Sequence, residues 1–428
     1  MLKSFIKKVI PSKFFLIILP VYHLVFAFIS SLIYRFPSKN ITVIGVTGTK
    51  GKTSTAEITR RLFEAGGYKT ALTSTLRIKI AGDSKPNLYK MTMPGRFFIH
   101  GFLRKAVDAG CDVAIIEMSS EGAKQFRHKF VELDGLIFTN ISPEHIESHG
   151  SFENYFQAKL SLGKALGGSS KKKRVMVANS DDTYGKSFLD LQKITDKIGF
   201  SMNDVSNIRE QNNITYFTFM DRNFSTKLIG RFNIYNIIAS ISMAKSFGVS
   251  MDNIVKAISE LDIIKGRGER ITLADNSESK QRQDFTVIVD YAHTPNSLEA
   301  IYQAFEHDKK ICVLGNAGGG RDKWKRPEMG KIADTFCSHI ILTDEDPYDE
   351  DPRSIVEEMK EVISISPTEI IMDRRKAIAR AISLAKKDDV VIITGKGTDP
   401  YIMRANGDKE PWDDATVARE ELEKRLNR

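Results

Sequence analysis

Short apolar runs alternate with longer stretches of helical spacing along the chain from Ile41 onward. This alternation is typical of a mostly parallel sheet covered by helices, so the pattern predicts an α/β fold. In the first part of the chain, strands are predicted at residues 41–46, 113–117, 135–139 and 175–178. Helices are predicted there at residues 52–65, 152–166 and 233–247, and the polar run at residues 167–174 is predicted to be a loop.

A second alternation of the same kind begins after Gly266-Arg267-Gly268. Its strands are predicted at residues 285–289, 311–314, 339–342 and 390–393, with helices between them. We therefore expect a second sheet domain and place the boundary near Lys265. The expected parts are a hydrophobic segment at residues 1–40, a first α/β domain at residues 41–265 and a second one at residues 266–428.

The first 40 residues differ sharply from the rest of the chain. They contain six basic side chains and no acidic one, and residues 14–34 carry no charge. That run is long enough to cross a bilayer, which takes about 20 apolar residues, and it lacks the small-residue cleavage site of a signal peptide. Pro20, His23 and Ser30-Ser31 interrupt it, so a helix packed on the neighbouring domain or in a dimer groove is the alternative.

Charge and cysteine content narrow the classes of partner. The chain has 428 residues, a formal net charge of +9 and three isolated cysteines, Cys111, Cys312 and Cys337. Without a C-x-x-C pair, the sequence favours neither a structural zinc site nor a disulfide framework, and a reducing cytosol fits best. The basic residues are dispersed and follow no nucleic-acid-binding pattern, so anionic small molecules or a membrane surface are the expected partners, and nucleic acid is not.

The strongest chemical signal is the run at residues 41–53, where an apolar strand leads into a glycine-rich turn and a helix start. Gly48 and Gly51 would let backbone N–H groups approach phosphate oxygens, Lys52 would supply a cation, and the Thr53 hydroxyl could bind Mg²⁺. The residue five positions before the second glycine is valine, so the standard G-x-x-x-x-G-K-[ST] spacing is incomplete. The run predicts a shortened phosphate loop, with a turn that binds no ligand as the alternative.

The short form G-T-K-G-K-T gives the chain its resemblance to the Mur ligases, the ATP-dependent amide-forming enzymes of cell-wall precursor synthesis. The resemblance extends from residue 41 to the C-terminus and is strongest to the ligases that add the third amino acid of the stem peptide. It implies a central phosphate-loop NTPase domain with a parallel sheet and a C-terminal Rossmann-like domain. It also implies ATP and Mg²⁺ as cofactors and an acyl-phosphate intermediate. The family's ATP-binding positions match Gly48, Thr49, Lys50, Gly51, Lys52, Thr53, Asn236, Arg267 and Asp290.

Three further positions would organise Mg²⁺ and take part in catalysis by the same resemblance. Glu117 ends an apolar strand, at the edge where open α/β sheets bind ligands. His145 matches a histidine that binds the second metal ion, although Glu144 and Glu147 stand where the family usually has aspartate. Lys159 matches a lysine that CO₂ carbamylates into a metal ligand. From spacing alone, Lys159 would be a solvated residue on an amphipathic helix.

The substrate positions of the family fall on Thr92, Ser120, Gln125 and Arg127 for the acceptor and on Asp346, Tyr348, Gly395 and Asp399 for the amino acid. Family members that use diaminopimelate carry Asp-Asn-Pro-Arg, whose arginine holds the distal carboxylate with two hydrogen bonds. Here Asp346 replaces the asparagine and Tyr348 replaces the arginine. The later motif that begins at Gly395 keeps a carboxylate at Asp399. The excess of acid predicts a cationic amino acid such as lysine or ornithine, and the alternative is that these acids cap surface helices.

The front of the chain departs from the family. Only about forty residues precede the phosphate loop, where family members have a domain for the UDP part of the acceptor. The muramoyl-peptide end is still expected to bind, so a lipid-linked acceptor is an alternative to a UDP-linked one.

The orientation at a membrane is restricted by charge and by the substrates. If the apolar run crossed the membrane, the four lysines before it would stay in the cytosol and the rest of the chain would lie outside. ATP and the precursors are cytosolic, so this orientation does not fit. We therefore expect a segment broken at Pro20 that lies on the inner face of the cytoplasmic membrane.

Two other functions fit parts of the sequence. One is a membrane-associated ligase of another acidic acceptor, such as poly-γ-glutamate synthase, and the other is a nucleotide-binding scaffold without catalysis. The runs Asp373-Arg-Arg-Lys-Ala-Ile and Gly395-Lys-Gly favour the tripeptide-forming branch over the first. The joint presence of Lys52, Glu117, His145 and Lys159 argues against the second.

Overall fold

The computed structural model describes residues 12–144, 146–273, 283–320 and 322–427. The chain forms two compact units. Unit 1 comprises Met1–Arg209, Tyr216–Ser225 and Ile234–Glu260, and unit 2 comprises Glu210–Thr215, Thr226–Asn233 and Leu261–Arg428. The domain boundary expected near Lys265 stays a prediction.

The strands of the unit 1 sheet are Thr42–Thr47 (β1), Thr70–Thr73 (β2), Arg77–Ile80 (β3), Asp83–Pro86 (β4), Val113–Glu117 (β5), Gly135–Phe138 (β6), Val175–Asn179 (β7) and Asp196–Phe200 (β8). Their order is β4-β3-β2-β5-β1-β6-β7-β8. From β2 to β8 the neighbours are parallel, and β3 and β4 extend one edge as antiparallel strands. The central strands are buried along nearly their whole length, which agrees with their continuous Val, Ile and Leu content.

The helices that precede or follow these strands are Ser12–Ile33 (α1), Lys52–Ala65 (α2), Arg96–Asp108 (α3), Ser120–Lys124 (α4), Ile146–His149 (α5), Phe152–Gly167 (α6), Gly185–Leu189 (α7), Arg231–Ser246 (α8) and Met251–Ser259 (α9). Side chains cap several of them; Ser151 accepts the Asn154 N–H at the start of α6, for example. A small sheet of order β11-β10-β9 contains Val205–Gln211 (β9), Ile214–Phe219 (β10) and Arg222–Thr226 (β11).

The strands of unit 2 are Glu269–Arg270 (β12), Thr286–Val289 (β13), Lys310–Leu314 (β14), His339–Leu342 (β15), Thr368–Ile370 (β16), Val390–Ile393 (β17), Tyr401–Met403 (β18) and Lys409–Pro411 (β19). The larger sheet has the order β12-β13-β17-β14-β15-β16 and is parallel except for β12, while β18 and β19 pair by themselves. The helices of this unit are Pro295–Gln303 (α10), Lys325–Phe336 (α11), Pro352–Lys360 (α12), Arg374–Leu384 (α13) and Asp414–Leu426 (α14).

Each strand and helix predicted by residue range is confirmed, with ends that agree to within two residues. The α/β fold class is confirmed as well. The parallel registers align the carboxyl ends of neighbouring strands: Val46 of β1 pairs with Glu117 of β5 in unit 1, and Val313 of β14 pairs with Ile393 of β17 in unit 2. Loops that follow such strands meet at one sheet edge, where open α/β sheets bind ligands.

Helix α1 runs without interruption through Pro20, so the predicted break at that residue is wrong. It packs against α3 of the same unit. Within the described part of the chain, the structure contains no helix long and apolar enough to cross a membrane.

The structure contains a disulfide that the sequence did not favour. Cys312 in β14 and Cys337 at the end of α11 are bonded, with their Cα atoms 6.1 Å apart. The register explains the pairing, because Ile311 lies opposite His339 of the next strand and brings the end of α11 beside β14. Cys111 is a buried free thiol.

Candidate active site

The glycine-rich turn between β1 and α2 lies at the carboxyl edge of the unit 1 sheet and is fixed by the loop after β6. The Thr49 N–H donates to the Asn140 carbonyl at 2.8 Å, and the Lys50 N–H donates to Asn140 Oδ1 at 2.9 Å. Thr139 Oγ1 donates to the Lys50 carbonyl at 2.7 Å, and Lys52 Nζ donates to the Thr49 carbonyl at 2.8 Å. The turn is thus held in one shape at the N-terminus of α2, where a helix favours an anion.

Two glycines of this turn have no room for a side chain. Gly48 has φ 148° and Gly51 has φ 79°. A Cβ at Gly48 would lie 1.9 Å from Thr139 Oγ1, and one at Gly51 would lie 2.3 Å from Asn236 Oδ1. The same Asn236 oxygen accepts the Thr55 hydroxyl at 3.1 Å. The predicted nucleotide residue Asn236 is therefore placed against the phosphate loop.

Glu117 ends β5 with its carboxylate buried beside the first turn of α2. Thr53 Oγ1 donates to Glu117 Oε2 at 3.0 Å, and Thr75 donates to both carboxylate oxygens, through its N–H at 2.7 Å and its hydroxyl at 3.1 Å. The Thr92 hydroxyl lies 2.9 Å from that of Thr75. Mg²⁺ is commonly held by one or two protein oxygens together with phosphate oxygens. Thr53 and Glu117 fit this requirement, although no group of three His, Cys, Asp or Glu side chains suited to a metal occurs among the described residues.

Lys159 of α6 is fully buried beside the phosphate loop. Its Nζ donates to the Gly48 carbonyl at 2.6 Å and lies 4.7 Å from the centre of the Tyr155 ring. Burial lowers the pKa of Lys159 well below its usual range, and the positive charge of Lys52 lowers it further, against the opposing effect of Glu144. Burial therefore favours the neutral amine, and the solvated position inferred from spacing alone is wrong.

The predicted metal ligand His145 lies outside the described residues. The residue before it, Glu144, is buried, and its Oε1 lies 3.1 Å from Lys50 Nζ. Glu144 thus forms an ion pair with Lys50 of the phosphate loop.

The predicted acceptor residues lie around α4. Ser120 begins that helix and is buried. Arg127 donates through Nη2 to Gln125 Oε1 at 2.7 Å and through Nη1 to the Met93 carbonyl. The Gln125 carbonyl in turn accepts from Arg96 Nη2 at 3.1 Å. The structure therefore brings Gln125 and Arg127 together, whereas Thr92 belongs to the hydrogen-bond network of Glu117.

In unit 2, Asp290 accepts a hydrogen bond from the residue that follows Arg267, so the two predicted nucleotide residues lie close together. Asp290 accepts the Gly268 N–H through Oδ2 at 2.6 Å and the Ala292 N–H through Oδ1 at 2.7 Å. The Arg267 guanidinium stacks on the ring of Tyr291, 4.3 Å from its centre. Both side chains are thus fixed at the end of β13.

The predicted amino-acid residues cluster at the carboxyl edge of the unit 2 sheet. Lys396 Nζ donates to Asp346 Oδ1 at 2.8 Å and to Asp399 Oδ2 at 2.9 Å. Burial by itself lowers the pKa of Lys396, but these two carboxylates outweigh it, so the pKa lies above its usual value. The alternative that Asp346 and Asp399 cap surface helices is therefore wrong. The Tyr348 N–H donates to the Met403 carbonyl at 3.1 Å, close to the same cluster.

Glu345 lies next to this cluster in the sequence, and one oxygen of its carboxylate accepts no hydrogen bond from the described residues. This oxygen, Oε2, is buried. Burial, and next the charge of Asp346, raise the pKa of Glu345 to about 7. A Cβ at the predicted residue Gly395 would lie 2.4 Å from Glu345 Oε2. The glycine therefore makes room for the Glu345 carboxylate.

Several residues that complete these sites were not singled out from the sequence. Asn140 and Thr75 fix the phosphate loop and Glu117, and Lys396 neutralises two predicted acids. Buried Arg374 pairs with Asp414 at 2.7 Å. A signal existed for Lys396, which lies between two glycines directly after a strand, and for Asn140, which follows a strand end.

The chain matches two family descriptions. "Mur ligase middle domain" covers residues 46–244, and "Mur ligase, glutamate ligase domain" covers residues 266–397. A UDP-N-acetylmuramoyl-L-alanyl-D-glutamate--2,6-diaminopimelate ligase from Bacillus cereus is 34% identical over 415 residues, which is 94% of this chain and 82% of that protein. A ligase of the same name from Aquifex aeolicus is 35% identical over 403 residues, 90% of this chain and 78% of that one.

Solved structures agree with these matches. A structure of a ligase of that same name is 26% identical with a TM-score of 0.60, covering 90% of this chain and 79% of the other. Folylpolyglutamate synthase from Mycobacterium tuberculosis, complexed with ADP and AMPPCP, has a TM-score of 0.71 and covers 95% of both chains. At 16% identity, that second likeness concerns the fold alone.

Proposed function

Because the chain belongs to the Mur ligase family of ATP-dependent enzymes that ligate peptides onto peptidoglycan precursors, we propose that it adds a cationic amino acid to a muramoyl-peptide precursor through an acyl phosphate. The observation that carries the proposal is the meeting of the glycine-rich turn, the Thr53–Glu117 pair and the Lys159 amine at one sheet edge. The family resemblance inferred from the sequence is confirmed.

In the proposed reaction, the backbone N–H groups of the turn and the N-terminus of α2 bind the phosphates of ATP. Lys52 exchanges its bond to the Thr49 carbonyl for a phosphate oxygen and offsets the charge that develops during transfer. Thr53 and Glu117 would hold Mg²⁺, whose charge reduces the repulsion between the acceptor carboxylate and the triphosphate.

Two displacements complete the amide bond. An oxygen of the acceptor carboxylate attacks the γ-phosphorus, the bond to the bridging oxygen breaks, and ADP leaves with the electron pair. The amine nitrogen of the incoming amino acid then attacks the acyl carbon, inorganic phosphate leaves, and the ammonium proton passes to solvent. Pairing of the candidate acceptor residues Gln125 and Arg127 supports a fixed position for the acceptor.

We also propose that Lys159 becomes carbamylated. Carbamylation needs an amine with a free electron pair, and burial favours that neutral form by lowering the pKa of Lys159. The nitrogen attacks the carbon of CO₂ and loses a proton, which leaves an anionic group with carboxylate-like oxygens. Such a group would join Thr53 and Glu117 as an oxygen ligand beside the turn, and a negative charge there would be balanced by Lys52.

The charge of the unit 2 cluster supports a cationic substrate. Its acids are Asp344, Glu345, Asp346, Asp399 and Asp414, and its bases are Arg374, Lys396 and Arg404. Arg404 pairs with Asp344, Arg374 with Asp414, and Lys396 with the two other aspartates. Glu345 is left over, so we propose that it receives an ammonium group of the amino acid. Diaminopimelate is the second candidate, because the names of the relatives specify it.

The test is a screen of amino acids for phosphate release from ATP, run with UDP-linked and with lipid-linked muramoyl dipeptide. We expect release that depends on both the acceptor and the amino acid, with lysine or ornithine as the best substrates. Release that needs glutamate and an acidic polymer would favour the poly-γ-glutamate alternative. ATP binding without release under any combination would favour the scaffold and overturn the proposal.

A further inference from the structure

Helix α1 presents its polar side to the protein and its apolar side outward. Over residues 19–33, where the burial of its side chains is described, the buried positions are His23, Ala27, Ser30 and Ser31. Its exposed large apolar positions are Val21, Leu24, Val25, Phe28, Ile29, Leu32 and Ile33. The spacing of three and four residues places each set on one side of the helix. A helix on a water-exposed surface has the opposite arrangement, with its apolar stripe toward the core.

Polar contacts fix the inward side against α3. Arg96 Nη2 lies within hydrogen-bond distance of His23 Nδ1, and Ser30 Oγ donates to the Arg96 carbonyl at 3.2 Å. At Gly101, a Cβ would lie 3.1 Å from the Tyr34 ring, so the helices approach closely there. These contacts determine which side of α1 faces outward.

The exposed apolar surface continues beyond α1. Phe97 is exposed and packs its ring against Phe26 of α1, with the ring centres 6.4 Å apart. Tyr89 is exposed and packs on Phe98, with the ring centres 5.2 Å apart, and Met91 nearby in the chain is exposed too. We name the outward side of α1 together with Tyr89, Met91 and Phe97 the apolar face. Large exposed apolar patches bordered by polar residues mark interaction sites.

The stretch of sequence that contains α1 carries charges of one sign. The first 40 residues hold six Lys and Arg and no acid, and the next acid along the chain is Glu57. Arg35 and Lys39 directly follow α1, and Lys39 Nζ lies 5.1 Å from the Phe36 ring, which in turn neighbours Phe28 of the apolar face. An apolar stripe bordered by cations complements a bilayer surface that carries anionic headgroups.

We propose that the apolar face docks the protein on a bilayer containing anionic lipid, with α1 lying in the plane of the interface. The surface adjoins the candidate acceptor residues, because Met91 Sδ lies 4.0 Å from Arg127 Nη1 and Arg96 contacts both His23 and the Gln125 carbonyl. Docking would therefore place these residues next to the headgroups, within reach of a lipid-linked acceptor. The docking itself stands on the surface of α1 and does not depend on the proposed ligation.

The experiment is sedimentation of the purified full chain with vesicles of phosphatidylcholine alone and of phosphatidylcholine with phosphatidylglycerol. We expect binding to the anionic vesicles that exceeds binding to the neutral ones at least tenfold at low salt and weakens as salt is added. Val21→Glu, Val25→Glu and Leu32→Glu introduced together should reduce the binding at least tenfold. Their side chains are about half exposed or more, at 61%, 46% and 57%, so the fold should be preserved, as melting temperature will show.

The matched control makes the same three-charge change elsewhere, at the exposed residues Ile208, Ile263 and Ile365. The binding of this control to anionic vesicles should stay within about twofold of that of the wild type. Its three added charges lie outside the apolar face and contribute only screened repulsion. Equal loss in both triple variants, or no vesicle binding by the wild type, would overturn the proposal. A wild-type dimer that the α1 variant dissociates, without any vesicle binding, would assign the face to a second copy of the chain instead.

Phosphate release with the UDP-linked acceptor separates this inference from the proposed function. The α1 variant should keep wild-type release on that soluble substrate. If the α1 variant loses vesicle binding and keeps phosphate release, the apolar face serves docking and is not needed for the reaction. A wild type that binds vesicles and never releases phosphate would refute the proposed ligation and leave the docking proposal intact.

Discussion

Replacing Lys159 by methionine removes the buried amine while the unbranched stem continues to fill its space. We expect the Lys159→Met protein to fold and to lose at least about 100-fold in phosphate release, the order of loss when a group that organises a metal site is removed. Lys164 lies on the same helix with its side chain exposed, so Lys164→Met is the matched control and should be fully active.

The cost in stability follows from the contact that is lost. Burial lowers the pKa of the Lys159 amine, which favours its neutral form, and the amine donates one hydrogen bond of 2.6 Å to the Gly48 carbonyl. A neutral hydrogen bond contributes about 1 kcal/mol, and a buried carbonyl left unpaired costs about 1–3 kcal/mol. The cost of the unpaired carbonyl already includes the lost bond, so a total of about 1–3 kcal/mol corresponds to a fall in melting temperature of about 2–12 °C for a domain of this size.

Three measurements check this prediction: phosphate release, the melting temperature, and the intact mass with and without bicarbonate. The wild type should gain the mass of one CO₂ in bicarbonate, and the Lys159→Met protein should not. A short carboxylic acid should restore part of the activity of Lys159→Ala, where space is open. Wild-type turnover in Lys159→Met would refute the reasoning, and so would loss of activity accompanied by complete unfolding.

The remaining predictions concern charge. Lys52→Ala should reduce phosphate release at least about 100-fold at unchanged melting temperature, because it removes the cation that offsets the transferring phosphate; retained release would contradict that role. Glu345→Gln should stabilise unit 2 at about pH 8 and not at about pH 5. Folding raises the pKa of Glu345 from 4.5 to about 7, so the folded wild type keeps this proton to a higher pH than the unfolded chain does. The free energy of unfolding of the wild type therefore falls as the pH rises from 4.5 to 7, by about 3 kcal/mol over the whole interval. Equal melting temperatures of the two proteins at both pH values would refute it. Asp346→Asn with Tyr348→Arg should raise the preference for diaminopimelate over lysine about 10–100-fold, the value of one charged hydrogen-bonded pair; a wild type that already prefers diaminopimelate would contradict the cationic assignment.

The sheet framework and the phosphate loop could be predicted because their signals are local. An apolar run, a glycine-rich turn and a helical stretch follow one another at residues 41–65, and the structure has β1, the turn and α2 there. Glu117 and Thr53 could be placed together, since parallel strands align their carboxyl ends. Asn140 and Thr75, which hold these groups, come from loops whose course depends on tertiary packing.

The misjudged residues share one cause, which is that polar character was taken as a sign of exposure. Lys159 was assigned to the solvated side of its helix because it is charged, whereas it lies on the same buried side as Tyr155, Leu162 and Leu166. Asp346 and Asp399 gave a local excess of acid, but the Lys396 that neutralises them is separated from the first by a long stretch of chain. The disulfide of unit 2 likewise depends on strand pairing that residue spacing does not reveal.

Helix α1 shows how far a hydrophobicity pattern can go. The sequence marks His23, Ser30 and Ser31 as interruptions of an apolar run, and their spacing places them on one side of a helix. Pattern alone assigns such a side to water. In the structure that side contacts Arg96 and is buried, so the apolar side remains outside, where water is a poor neighbour. The two sides of α1 are therefore suited to different surroundings: the polar side contacts the protein, and the apolar side needs an apolar partner. A bilayer interface with anionic headgroups provides that partner.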